Sequence, residues 1–362
     1  MALTGATGYD SLSGAGYPSD TLTDFTLYVQ ATMSAAWQSA FAAADADTGR
    51  IRVTDGSGTE LPRDILSYSS GVLSMRVLWS GERGVGDYPT LRVYPDATGS
   101  YAADDTYGQY AAYDSSWAGY WPLDEDPGGS APQGKDRTSN QNHLTTAGEM
   151  DSSDLVSGQI AGGWAFDGGS QYAVSEEDVG GGTEVAIFAW ITSRETIDGG
   201  WVFIGTSGTS TDVYTGIRRD TTTAARAIIG DGANGKYRES PKDSVPVDTR
   251  CHVVMTASVG EFPDVYVNGT LNNGASKGSQ GKSDPDAVGT GKLYLGTGVK
   301  NNAFVDLDEI QVFSSIPPAA WIAYEYGITS NPADFWNNSG WTSLATGSSI
   351  AAIAAYYRRM RA

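Results

Sequence analysis

The chain has 362 residues and a formal net charge of -20, with 46 glycines, 20 tyrosines, 10 tryptophans and one cysteine. That length accommodates two domains with ample cores, and the lone Cys251 excludes an internal disulfide framework. The acidity repels phosphate backbones, so no nucleic-acid partner is expected, and no stretch approaches the ~20 apolar residues that span a bilayer, so no membrane span is expected either.

The opening "MALTGATGYDSLSGAG" lacks the basic start and apolar centre of a signal peptide, which predicts a protein made in, and first retained in, a cytoplasm. Residues 1–20 are small, polar and rich in Gly and Ser, and are predicted to form an extended N-terminal arm. A small β domain is predicted over residues 21–115. Its runs "FTLYVQATM", "GRIRVTDGSGTELPRDIL", "GVLSMRVLW" and "YPTLRVYPD" alternate and are bounded by Gly, Pro or Asp turns. Within it, "DGSG" from Asp55 to Gly58 predicts a hairpin in which Asp-Gly supplies the positive φ. Ser34 to Ala46 is the one helix predicted in this domain, with Trp37 and Phe41 at i,i+4 on one face. An aromatic run follows, comprising Tyr107, Tyr110, Tyr113, Trp117, Tyr120 and Trp121. Flat rings can stack on sugars, but the area they bury favours a packed junction between domains.

From residue 116 to 336 the chain changes to regularly spaced strands with Gly-rich turns. Seven or more such strands predict an all-β sandwich or jelly roll. Cys251 and His252 are neighbours on a predicted strand, so they face opposite sides of the sheet and do not form a nucleophile–base pair.

The stretch "FVDLDEIQVF", Phe304 to Phe313, places Asp306, Asp308 and Glu309 inside a strand. Retaining glycoside hydrolysis needs two carboxyl groups about 5–5.5 Å apart. Asp306 and Asp308 occupy i and i+2, but i+4 is Ile310, and Glu309 points to the other face of a regular strand. The set is incomplete, so no catalytic centre is expected. Leu307, Ile310 and Val312 do not share one parity, which points to a bulge.

Residues 337–362 form a tail ending in "GSSIAAIAAYYRRMRA". Ser348 or Ser349 can cap a helix whose one face carries Ile350, Ile353, Tyr357 and Met360. Arg358, Arg359 and Arg361 complement its dipole. The helix either docks on the acidic body or anchors the protein in a larger assembly, and the assembly anchor is favoured. Its residues are Ile350, Ile353, Tyr357, Arg358, Arg359 and Arg361.

Two family resemblances overlie this reading. "GRIRVTDGSGTELPRDI" and "LRVYPDATGSYAADDTYGQYAAYDSSWAGYWPLDE" resemble a small β domain of unknown function that precedes laminin-G-like modules in bacterial and tailed-phage proteins. Here Tyr94-Pro95 stands where that family has Tyr-Gly. "YWPLDE", "WAFDGGSQYAVS", "VAIFAWIT", "PDVYVNGTL", "LYLGTG" and "VDLDEIQVFSSIPPAAWIAYEY" resemble the laminin-G-like, concanavalin-A-like lectin superfamily. Arg250-Cys251 replaces the family's Trp before the His-Val pair.

The resemblance implies an all-β fold: a small N-terminal β-sandwich, a laminin-G-like jelly roll, and a short C-terminal helical tail. It also implies a structural calcium at Asp308, with Asp136 and Asp167 as further ligands. The alternative, that Asp308 accepts backbone N–H bonds, stays open, and for Asp167 a turn-shaping role is favoured. The implied function is a non-enzymatic bacteriophage virion protein, of the capsid-decoration or fibre type, displaying a lectin-like domain to glycans or a host surface. Its partners would be other capsid or tail proteins and copies of itself in a homo-oligomer, and its location the virion. A bacterial cell-surface or secreted glycan-binding protein is the alternative, followed by a glycoside hydrolase.

Overall fold

The computed structural model describes residues 3–180, 182–195, 199–205, 213–220, 223–231, 235–274, 276–278, 288–297 and 302–344. The chain divides into two compact units, Met1–Tyr113 with Asn331–Ala362, and Asp114–Ser330, so the second is inserted in the sequence of the first.

The first unit begins with β1 (Gly8–Gly14), β2 (Leu22–Thr32), α1 (Ala35–Ala43), β3 (Arg52–Asp55) and β4 (Glu60–Leu61). It continues through β5 (Arg63–Ser69), β6 (Val72–Arg83) and β7 (Thr90–Tyr94). The second unit supplies β8 (Trp117–Trp121), β9 (Leu144–Ala147), β10 (Leu155–Ser157), β11 (Gly162–Asp167), β12 (Tyr172–Asp178) and β13 (Glu184–Ser193). It goes on with β14 (Gly200–Gly205), β15 (Val213–Arg219), β16 (Ala225–Asp231), β17 (Gly235–Glu239), β18 (Arg250–Ser258) and β19 (Asp264–Val267). β20 (Thr270–Leu271), β21 (Ser276–Gly278), β22 (Lys292–Leu295), β23 (Phe304–Phe313) and α2 (Ala319–Ser330) complete it. The chain returns to the first unit with α3 (Pro332–Phe335) and β24 (Trp336–Ser343). The fold is nearly all β, as expected.

In the first unit a five-stranded sheet, β24-β1-β7-β3-β4, accompanies a three-stranded one, β2-β6-β5. Residues expected as an extended arm are instead β1, paired on one side with β7 and on the other with β24. Its Gly and Ser content reflects close packing rather than looseness. A Cβ on Gly8 would lie 2.2 Å from the Trp341 ring, and one on Gly14 would lie 2.7 Å from the Phe335 ring. Asp10 is fully buried and accepts from the Ser34 backbone N–H and hydroxyl, at 2.6 Å each, and from Asn338 Nδ2 at 2.7 Å. Residues 336–343, counted in the sequence with the jelly roll's end and the tail, form this edge strand.

The predicted helix forms as α1. Ser34 caps it, accepting from the Trp37 N–H at 3.2 Å, and positive φ at Asp45 and Ala46 ends the run. Trp37 and Phe41 stack with ring centroids 5.3 Å apart, and both are buried. The β3–β4 hairpin also forms, but by a different device from the one expected. Gly58, not Gly56, takes the positive φ, and Asp55 Oδ1 accepts from Ser57 and Thr59 N–H groups at 2.9 Å.

The second unit contains two eight-stranded sheets. One runs β10-β11-β23-β13-β18-β19-β20 with β8 also on β23, and the other runs β21-β17-β16-β15-β14-β22-β12-β9. The core between them includes Trp121, Trp164, Phe166, Ile187, Trp201, Cys251, Leu293 and Leu307. Alternation on β18 sends Cys251 into this core. His252, on the other face, packs against Trp190 and Tyr326 with centroids 5.1 and 6.0 Å away. The "YVNG" motif is the β19–β20 hairpin turn, with φ of +50° at Asn268 and +74° at Gly269. A Cβ on Gly269 would sit 2.9 Å from the Tyr326 side chain. Gly269→Ala therefore combines left-handed strain with a close contact and should lower stability by about 1–2 kcal/mol, read as a shift in the urea midpoint. A shift below a quarter of that would show that the turn relaxes freely.

Candidate functional site

β23 is the strand on which the sequence's carboxylates sit, and its geometry explains them. On one side it pairs along its length with β13. On the other, β11 takes residues 304–307 and β8 takes residues 310–313. The expected bulge is present: the β13 register slips between Asp308 and Gln311, and Glu309 takes a φ of +53°. Val305, Leu307, Ile310 and Val312 thus all reach the core despite their mixed parity.

Asp306, Asp308, Glu309 and Gln311 are all buried and all lie outside that core cluster, and each is held by a different element. Arg194, following β13, forms a bidentate ion pair with Asp306 and reaches Asp248 at 3.1 Å. Asp308 Oδ2 accepts from the Gln159 and Ile160 N–H groups of the β10–β11 turn. The Glu309 oxygens accept from the Tyr120 hydroxyl at 2.9 and 2.8 Å. Gln311 Nε2 donates to Glu325 Oε1 of α2 at 3.0 Å. The bulge, absent from a regular-strand reading, is why Glu309 does not point into the core. Burial pushes the Asp308 carboxyl well above the usual range, helped by the neighbouring Glu309 charge and opposed by the two N–H bonds.

Arg250, the family departure noted in the sequence, donates to the Gly158 and Ser157 carbonyls, both at 2.5 Å. Gly158 permits this crowding, since a Cβ there would lie 2.0 Å from the Gly162 carbonyl oxygen and 2.5 Å from Asp308 Oδ2. α2 was not anticipated as a packed helix. Its Trp321, Ile322, Tyr324, Glu325 and Ile328 are buried, a spacing visible in "AAWIAYEYGI".

The other two expected calcium ligands serve separate loops. Asp136 is buried and accepts four hydrogen bonds, from Tyr120 N–H (3.1 Å), Thr138 N–H (3.0 Å), Thr138 Oγ1 (3.1 Å) and Asn142 N–H (2.9 Å). Asp167 is exposed and shapes a turn, accepting from Gly169 N–H at 2.7 Å. Among the described residues no three His, Cys, Asp or Glu side chains group to hold a metal. Asp136 and Asp167 are thus engaged in separate loops, while Asp308 Oδ1 is buried with no hydrogen-bond partner among the described residues. The aromatic run offers no open platform at its second half, because Tyr113, Trp117, Tyr120 and Trp121 are buried. The tail residues Ile350, Ile353, Tyr357, Arg358, Arg359 and Arg361 lie outside the described residues.

One cleft, of about 280 Å³, was not signalled by any site residue chosen from the sequence. Arg238 of β17, Thr256 and Ser258 of β18, Glu261 and Phe262 of the next loop, and Asp264 of β19 line it, with Ile316 beside them. Arg238 pairs with Asp264 at 2.6 Å, and Asp264 Oδ1 also accepts from Asn273 Nδ2 at 2.8 Å. Lys236 Nζ stands 5.6 Å and Arg238 Cζ 6.0 Å from the centre of the half-buried Phe262 ring. A Phe beside a Glu in the short loop "VGEFPD" was the available signal.

Among solved structures the chain is similar to the receptor binding domain of a botulinum neurotoxin C/D mosaic serotype. The identity is 11%, the TM-score 0.41, and the match covers 59% of this chain and 51% of that one. It is also similar to the binding domain of botulinum neurotoxin DC in complex with SialylT (9% identity, TM-score 0.43, covering 59% and 52%). A third is domain 4 of AbnA, a GH43 extracellular arabinanase from Geobacillus stearothermophilus, in complex with arabinotriose (11% identity, TM-score 0.42, covering 57% and 98%). The chain spans about half the length of the neurotoxin domains. A comparison with curated proteins found no match. Residues 166–323 match the family Laminin_G_3, described as the concanavalin A-like lectin/glucanases superfamily. The chain therefore carries a domain of that superfamily, the jelly roll of its second unit.

Proposed function

We propose that this protein is a non-enzymatic, glycan-binding component of a bacteriophage particle, its lectin-like domain binding a saccharide at the Arg238–Phe262 cleft. The observation that carries the glycan reading is the cleft itself, where an aromatic ring, two hydroxyl side chains, two carboxylates and a guanidinium converge on a lectin-type sandwich. A non-catalytic role is supported by β23, where Asp306 is engaged by Arg194, Asp308 by a turn, and the i+4 position after Asp306 is the core residue Ile310. The particle assignment rests on the resemblance of the first unit's motifs to the β domain of tailed-phage proteins. On this reading the protein is made in the host cytoplasm and joins capsid or tail proteins.

Purified full-length protein on a glycan array should give saccharide hits that are the same with calcium and with a chelator. An array without hits overturns the glycan reading, and hits lost on chelation would restore a metal to it. Immunogold electron microscopy of phage particles should label the head or tail regularly. Unlabelled particles with intact controls would assign the protein to a cell surface or medium instead.

A further inference from the structure

We infer that the cleft selects a neutral saccharide ring and rejects acidic ones such as sialylated or uronic-acid glycans. This rests on the glycan-binding reading above and specifies its ligand.

The cleft's polar groups fall into two sets. Arg238, the one cationic side chain on the lining, has its charge balanced by Asp264, which lies 2.6 Å from one guanidinium nitrogen through an oxygen that Asn273 also holds. The uncommitted groups are different in kind. Thr256 is 4% exposed yet lines the cleft, and among the described residues its hydroxyl makes no hydrogen bond. The Ser258 hydroxyl and the Glu261 carboxylate are likewise uncommitted. Two hydroxyls can donate or accept, and a carboxylate accepts only, so the set matches a ligand with several O–H donors.

A carboxylate brought beside Glu261 and Asp264 would meet two like charges against the single guanidinium of the lining, on a chain whose net charge is -20. Phe262 completes the match. Its half-buried ring offers apolar surface to the C–H face of a sugar, with Lys236 and Arg238 beside it. The volume of about 280 Å³ lies below the ~300–1,000 Å³ of pockets for drug-sized ligands, which suits a single ring rather than an enclosed chain.

The test is a titration of the full chain with neutral hexose oligosaccharides and with their sialylated and uronic-acid counterparts, in wild type, Phe262→Ala, Thr256→Val and Glu261→Gln. Thermal melts of each variant accompany it. Neutral sugars should bind, and their acidic counterparts should bind at least about tenfold more weakly. Phe262→Ala should weaken neutral-sugar binding about tenfold with little change in melting, and Thr256→Val by a smaller factor. Glu261→Gln should narrow the neutral-over-acidic ratio, because it removes the repelling charge while keeping an acceptor. Acidic glycans bound as well as neutral ones, or neutral binding indifferent to all three variants, overturns this inference while leaving glycan binding standing. No binding to any saccharide overturns both.

Discussion

Glu125→Gln should stabilise the second unit above pH 7 by up to about 3 kcal/mol and leave it unchanged near pH 4. Glu125 is half-buried. Its Oε1 accepts from Lys135 N–H at 3.2 Å, and its buried Oε2 has no hydrogen-bond partner. Burial first, then the Asp124 charge, pushes its carboxyl up to about 7, against the pull of the Lys135 N–H and Arg137. A carboxyl with a raised folded pKa binds its proton more tightly in the folded chain than in the unfolded one. Its favourable contribution is therefore full below the unfolded value of roughly 4.5 and is lost as pH rises through about 7. Glutamine is neutral throughout and keeps an acceptor for Lys135, so the two proteins should match in acid and diverge between pH 4.5 and 7. Urea midpoints at half-unit pH steps measure this. Parallel curves across the range would mean that Glu125 titrates as it does in the unfolded chain.

Tyr120→Phe should destabilise the same unit by about 1.5–3 kcal/mol. The ring is fully buried and its hydroxyl donates to both oxygens of Glu309, itself 1% exposed. Phenylalanine preserves the ring's packing and removes only the donor, leaving the buried carboxylate with less compensation than it was folded around. Glu309 stands in the bulge at a φ of +53°, so the bond also secures a backbone conformation that costs energy. The expected result is a lower urea midpoint at unchanged slope. A loss below about 0.5 kcal/mol would show that Tyr120 is not what holds Glu309.

Much of the architecture was legible because its causes are local. Period-two alternation and turn residues mark strands such as β6, β13 and β18 without reference to any partner. The same alternation separates Cys251 from His252, and the broken parity of Leu307, Ile310 and Val312 is the bulge seen at Asp308–Glu309. Ser34 announces α1 because a cap acts over three residues. The lectin-type domain was legible in motifs for the same reason, each being a short strand with its own turn.

What the sequence left open depends on pairing across long separations. Residues 8–14 read as an arm because their partner β24 lies more than 300 residues later, and no local pattern predicts which strand closes a sheet edge. Asp136, Asp308 and Asp167 could be chosen as candidate ligands by type, but their hydrogen-bond partners come from separate loops and decide their roles. The cleft draws on residues 238, 256–264 and 316, far apart along the chain and brought together when β17, β18, β19 and the end of β23 assemble. Strand and turn chemistry is written residue by residue, whereas the partners of a buried carboxylate and the walls of a binding cleft exist only once distant strands have paired.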